Sequence, residues 1–242
     1  PDKIDRPNPV LMRLKFIARL SLMFINLIKT SLWFRVKSIP EKCIYLNTWL
    51  EPRCVKGDTL LDDFFRALIK DLNKIEPTVV SFNIMDYRLL ERVKQINIPD
   101  NYIISIGLLS IWDIIRLIIN YCRTAKIKLK NKYVFKKVDV TQTINLSLEK
   151  DYYQLRSFKA FLDFHIVEKI NFFQPSAFFY IFENQSWENS YLSVFKNTQV
   201  KTIGYQSSGF SLRYLNFFPS IIDAKNSLFP DIVLTVGDHF TN

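Results

Sequence analysis

Glycine is scarce in this chain, five among 242 residues, and the scarcity bears on several function classes at once. A dinucleotide-binding fingerprint, Gly-x-Gly-x-x-Gly, needs glycines for a tight turn and for close approach of backbone to pyrophosphate. The chain contains no such run, no Walker loop and no Gly-x-Ser-x-Gly nucleophile elbow. The two histidines, His165 and His239, are far apart in sequence, which argues against a His-based metal site. His165 sits among apolar residues and reads as a satisfied core or rim residue. Cys43, Cys54 and Cys122 are odd in number and fit no zinc spacing. They read as buried free thiols in a reducing cytoplasm. A long apolar run is also missing, since a membrane span needs about 20 mostly apolar residues. Leu20 to Ile28 ends at Lys29, and Ile103 to Ile119 is interrupted by Asp113 and Arg116. No signal-peptide cleavage pattern is present.

What is present can build a full core: 48% of residues are apolar and 21 are Phe. Such a composition argues against disorder and low complexity. The net charge of +10 is unevenly placed. Residues 1–42 carry nine basic and three acidic side chains, and residues 120–149 carry seven and two. Both blocks adjoin very apolar stretches. Basic residues beside apolar helical faces suit an anionic membrane surface, or equally a solvated face beside an ordinary core helix. Nucleic acid is not the expected partner, because readers of nucleic acid spread stacking aromatics through their basic regions. Between Arg123 and Lys137 only Tyr133 and Phe135 are aromatic.

The chain organises into a basic amphipathic helical lead-in over residues 1–41 and an α/β domain over 42–242. Val10 to Phe34 reads as the helix. Ile44 to Trp49 reads as a buried strand, and Asp58 as the cap of a helix running to about Asn73. Thr78 to Phe82 is a second strand and Asp86 to Gln95 a second helix. Ile103 to Lys130 reads as mostly helical, and Thr141 to Ile170 contains a long helix. Strands at Ala177–Phe182, Val200–Tyr205 and Asp231–Val236 alternate with a helix at Trp187–Phe195. Continuous apolar strands alternating with helices indicate a parallel sheet covered on both faces.

In such a sheet ligands bind beyond the carboxyl ends of the strands. Three polar clusters stand there: Glu183-Asn184-Gln185, Gln206-Ser207-Ser208-Gly209 and Gly237-Asp238-His239. If the strands are parallel neighbours, the clusters share one rim. Glu183 follows an apolar run, so desolvation would raise its pKa toward general acid or base work. It reads equally as a charge at the N-terminus of the following helix, where an anion or an Asn cap is favourable. Ser207-Ser208-Gly209 can hold a phosphate or a sugar hydroxyl, or serve as a plain strand exit. Trp187, Tyr180, Tyr191, Tyr205 and Tyr214 crowd the region and suit either sugar faces or core packing.

These residues carry a resemblance. Tyr180 to Glu188 resembles the "FENxxWE" segment of bacterial surface-carbohydrate biosynthesis proteins, Thr202 to Ser208 their "xIGYQHS", and Pro230 to Gly237 their "PDxxxxxG", in the same order. Tyr45 to Trp49 is weakly similar to the family's opening strand. The resemblance implies the N-terminal, acceptor-side half of a GT-B glycosyltransferase: a Rossmann-like parallel sheet with helices on both faces. Its substrates would be a nucleotide sugar and a lipid-linked or polysaccharide acceptor, in capsule or O-antigen assembly. It further implies no bound metal or cofactor, a nucleotide-sugar domain beyond Asn242, and no turnover by this chain alone. The expected location is cytoplasmic, peripheral at the inner membrane face. Glu183 would be the catalytic acid/base or acceptor-orienting residue, and Asn184, Trp187, Gln206, Ser207, Ser208, Gly209 and Arg213 would bind substrate. Ser207 stands where the family has His, which leaves open a non-catalytic membrane-surface or scaffolding module of the same pathway.

Overall fold

The computed structural model describes residues 9–84, 86–123, 130–155, 157–183, 185–206 and 229–235. The chain divides into two compact units, residues 1–29 with 111–162 and residues 30–110 with 163–242. The division falls inside two helices.

In chain order, α1 spans Pro9–Trp33 and β1 Ile44–Leu50. A small antiparallel hairpin follows, β2 (Val55–Lys56) and β3 (Thr59–Leu60). Next come α2 (Ala67–Leu72), β4 (Thr78–Ile84), α3 (Leu90–Val93), β5 (Tyr102–Ile104) and α4 (Ile111–Arg123). A second hairpin, β6 (Val134–Phe135) and β7 (Val138–Asp139), precedes α5 (Thr141–Tyr153) and α6 (Phe158–Phe172). The chain then runs through β8 (Ala177–Ile181), α7 (Asn189–Phe195), β9 (Lys201–Tyr205) and β10 (Ile232–Leu234).

Six strands form one sheet in the order β10-β9-β8-β1-β4-β5, and every neighbouring pair is parallel. Numbered by their order within the sheet, this is 3-2-1-4-5-6 read from the β5 edge, the Rossmann-like arrangement. The β1 and β4 sequences, IYLNTWL and TVVSFNI, are buried at nearly every position, because a parallel sheet is covered on both faces. On one face Leu46, Val80, Phe82, Phe179 and Ile181 pack with Leu60, Phe65, Ile69, Leu90 and Val93 from the first hairpin, α2 and α3. The other face is aromatic. Phe178 stacks on Tyr45 at 5.8 Å and meets Phe195 and Tyr191 of α7 at 4.8 and 5.6 Å, so Tyr180 and Tyr191 are core residues. Gly204 lets β9 approach its neighbours, since a Cβ there would lie 3.0 Å from Phe182 and 3.1 Å from Pro230.

The other unit has its own aromatic centre. Ile114, Leu117 and Tyr121 form the buried face of α4. Tyr121 stacks on Tyr152 at 5.2 Å and meets Phe158 and Phe161 edge-on, while Phe16 of α1 stacks on the same Tyr152. The Tyr121 hydroxyl donates to the Tyr152 carbonyl at 3.0 Å, which satisfies it within the core.

Several expectations need correction. No helix starts at Asp58; Thr59 and Leu60 form β3, and the helix is confined to Ala67–Leu72. Asp62 organises the turn by accepting from the Phe65 and Arg66 amides, and Arg66 adopts a positive φ of 39° that a helix cannot continue through. Ile103 and Ile104, the start of the expected helix Ile103–Lys130, belong instead to the edge strand β5, paired with Ser81 and Phe82, and the helix itself begins at Ile111. The helix expected within Thr141–Ile170 is broken into α5 and α6, with Leu155 at φ 60° between them. Cys43 and Cys54 are buried free thiols, but Cys122 is exposed, because it lies off the buried face of α4. No helix among the described residues is long and apolar enough to cross a membrane.

Candidate functional site

The direction of chain progress across the sheet reverses at β1 and β8. From β1 the chain moves outward through β4 to β5, then returns to β8 and moves the other way through β9 to β10. At such a switch point the connections leaving the two central strands diverge to opposite faces and leave a crevice at the carboxyl ends. The register pairs Asn47 with Tyr180, so continuing it brings Leu50 level with Glu183, and the Glu51 charge is felt at the Glu183 carboxyl. The loops leaving β1 and β8 therefore open the same crevice.

Its walls are aromatic and charged. Trp49 of β1 meets Trp187 edge-on at 5.8 Å and Phe64 at 5.6 Å. The Arg53 guanidinium lies over the Phe64 ring at 4.4 Å and pairs with Glu51 at 2.6 Å. Glu183 is half-buried, and its carboxyl is held above the ordinary glutamate range, first by burial and then by the charge of Glu51. Glu51 is thus paired with an exposed guanidinium, and its charge reaches the Glu183 carboxyl.

Beneath this rim lies Glu188, in the 3-10 turn Ser186–Glu188 that leads into α7. The same Glu188 oxygen accepts from the Glu183 amide at 2.8 Å and the Gln185 amide at 2.9 Å. The second half of this bond pattern is the capping-box reach from N3 back to the N-cap amide. Among the described residues the other Glu188 oxygen is buried without a hydrogen-bond partner. Burial pushes the carboxyl up to about 7; the two amides pull it down and the Glu183 charge adds to the rise. The carboxyl satisfying this helix start is therefore that of Glu188, which leaves the Glu183 carboxyl outside the capping geometry.

Two polar supports hold the central strands. Asn83 of β4 donates to Asn47 of β1 at 3.1 Å and to the Tyr191 hydroxyl at 3.2 Å, tying the two strands to α7. On the opposite face Thr48 donates to Asp62 at 2.7 Å. Asp62 is buried, and that burial raises its pKa against the pull of the Thr48, Phe65 and Arg66 donors.

Of the residues singled out from the sequence, Glu183 and Trp187 lie together at the switch point. Gln206 directly follows β9; its backbone N–H donates to the Leu234 carbonyl of β10 at 2.9 Å, and the residue is buried. Asn184, Ser207, Ser208, Gly209, Arg213, Tyr214 and the Gly237-Asp238-His239 cluster lie outside the described residues. Sequence reasoning passed over Glu51, Arg53, Asp62 and Glu188. Glu188 was readable, as the Glu three residues after Gln185 in Gln185-Ser186-Trp187-Glu188. Glu51 and Arg53 become visible only once β1 is known to be the central strand. Among the described residues no group of three or more His, Cys, Asp and Glu side chains is placed to hold a metal ion. Chemically, the crevice offers a carboxyl poised to exchange a proton, a cation for an anionic or hydroxyl group, and indole surface for the apolar face of a ring. Comparison with known protein families, with curated proteins and with solved structures gives no match.

Proposed function

We propose that the crevice between the β1 and β8 loops binds a carbohydrate acceptor, and that the protein takes part in glycosyl transfer of the GT-B kind in bacterial surface-polysaccharide assembly. The observation that carries this reading is the half-buried Glu183 at the end of β8, within reach of the Glu51 charge and four residues before the Trp187 that meets Trp49 of the neighbouring strand. A carboxylate with a raised pKa is a better base for a sugar hydroxyl near neutral pH. Glu51 accepts from neighbouring hydroxyls, and the indoles of Trp49 and Trp187 stack on the C–H face of a pyranose. In this reading Asn184, Gln206, Ser207, Ser208, Gly209 and Arg213 would bind hydroxyls and a nucleotide-sugar phosphate. The protein would work peripherally at a membrane face that presents lipid-linked acceptors.

The test is glycan binding by the chain and two variants, followed by saturation-transfer NMR against bacterial-type oligosaccharides. Trp187→Ala is expected to weaken binding about tenfold, from loss of about 1.5 kcal/mol of ring contact. Glu183→Gln should leave binding within a few-fold but abolish transfer in an assay supplied with a nucleotide-sugar domain. Glycan binding unchanged by Trp187→Ala, or transfer that survives Glu183→Gln, would overturn the proposal.

A further inference from the structure

The unit formed by residues 1–29 and 111–162 presents apolar side chains to solvent in a regular array. In α1, Leu14, Ile17, Leu22 and Ile25 are 60, 59, 62 and 49% exposed. At 100° per residue these four fall within an arc of about 140°, on the side away from Leu20, Met23 and Leu27. Arg13 borders one edge of that arc and Lys15 the other, while Lys29 falls just inside the second edge, beyond Ile25 towards the C-terminal end of the helix. No Asp or Glu occurs anywhere between Asp5 and Glu41. The β6–β7 hairpin of the same unit repeats the chemistry. Tyr133, Val134, Phe135 and Val138 are all more than half exposed, and Lys136 and Lys137 form the turn between the strands. On α4, Trp112 is 75% exposed, and Arg116, Ile119 and Arg123 follow it on the same outward face.

We infer that α1 lies in the interface of an anionic lipid bilayer, with its apolar arc sunk among the acyl chains and its flanking cations at the headgroups. The inference rests on the peripheral placement proposed above and names the surface responsible. A helix in the plane of the membrane needs an apolar face bounded by cations rather than a full apolar span. The helix has that face, and no helix among the described residues can cross a membrane. Charge chooses between the occupants. A second copy packed on the same arc would bring Arg13, Lys15 and Lys29 of both chains together with no carboxylate on either helix to neutralise them. Anionic headgroups supply that neutralisation at about fivefold in affinity per cation.

The experiment is flotation of the full chain with phosphatidylcholine vesicles and with vesicles containing 30% phosphatidylserine, without any sugar, so that its outcome is independent of the acceptor site. Binding is expected to the anionic vesicles and to fall on raising salt. Lys15→Gln/Lys29→Gln should weaken it roughly thirtyfold. Leu14→Ser/Ile17→Ser should weaken it by at least tenfold. All four side chains are exposed, so unfolding curves of both variants should superimpose on the parent. Equal binding to neutral vesicles, or anionic binding untouched by either variant, would overturn the inference. So would a stable dimer by light scattering that Leu14→Ser/Ile17→Ser dissociates, or capture by single-stranded RNA that displaces the vesicles.

Discussion

Replacing Glu188 with Gln should change how stability depends on pH. In the folded protein the Glu188 carboxyl titrates at about 7, against 4.5 for an unhindered glutamate. The folded state therefore holds this proton more tightly than the unfolded chain does. The stability it contributes is complete below about pH 4.5 and is lost as pH rises to about 7, a decline of about 3 kcal/mol across that window. Gln keeps a carbonyl oxygen for the Glu183 and Gln185 amides but has no proton to lose. The parent should therefore lose stability relative to Glu188→Gln by about that amount between pH 4.5 and 7.5. Urea unfolding at half-unit pH intervals, with equal m-values for both proteins, measures the difference directly. Asp62 also has a raised pKa and tilts both curves alike, so the difference isolates Glu188 and its coupling to Glu183. Parallel curves across the window would refute the claim that a buried, nearly neutral carboxyl holds the start of α7.

Other substitutions test the supports of the crevice. Asp62→Ala leaves Thr48 and the Phe65 and Arg66 amides without their acceptor and should cost about 2 kcal/mol in chemical unfolding. Asn83→Ala cuts the bonds to Asn47 and Tyr191 and should cost about 2 kcal/mol, with a shift in the near-ultraviolet tyrosine signal. Gly107→Ala would place a Cβ 1.9 Å from the Phe34 carbonyl oxygen, a backbone atom that cannot swing away. A loss of about 3 kcal/mol is expected there, against about 1 kcal/mol for Gly57→Ala, where space is open but the positive φ is strained for a side chain and Gly57→Asn is the milder substitution.

The long buried strands were legible because a parallel sheet covered on both faces demands unbroken apolar runs. Ile44–Leu50, Thr78–Ile84 and Ala177–Ile181 show such runs directly. What escaped has local causes. Leu60 and Leu61 fit a helical apolar face, but the buried Asp62 carboxylate offers the Phe65 and Arg66 amides a stronger local acceptor and turns the chain. Tyr102 to Ile104 is too short to show a period, and its strand character comes from pairing with β4. Strand order is non-local, so nothing within Ile44–Leu50 announces that β8 lies beside it. That adjacency is what turns Glu51, a plain loop acid in sequence, into a neighbour of Glu183. The Asn47–Asn83–Tyr191 cluster was hidden similarly: each residue reads singly as a polar interruption of an apolar element, and only the register makes them partners.

The four tryptophans offer the most direct test of the crevice. Trp49 and Trp187 touch at the switch point, while Trp33 lies under Lys94 and Trp112 stands exposed on α4. Indole N–H resonances, assigned by single Trp→Phe substitutions, should be followed through titration with an oligosaccharide acceptor. Saturable shifts at Trp49 and Trp187, with Trp33 and Trp112 unmoved, are the predicted result. Saturable glycan binding that leaves Trp49 and Trp187 unshifted would place the ligand elsewhere and contradict the account.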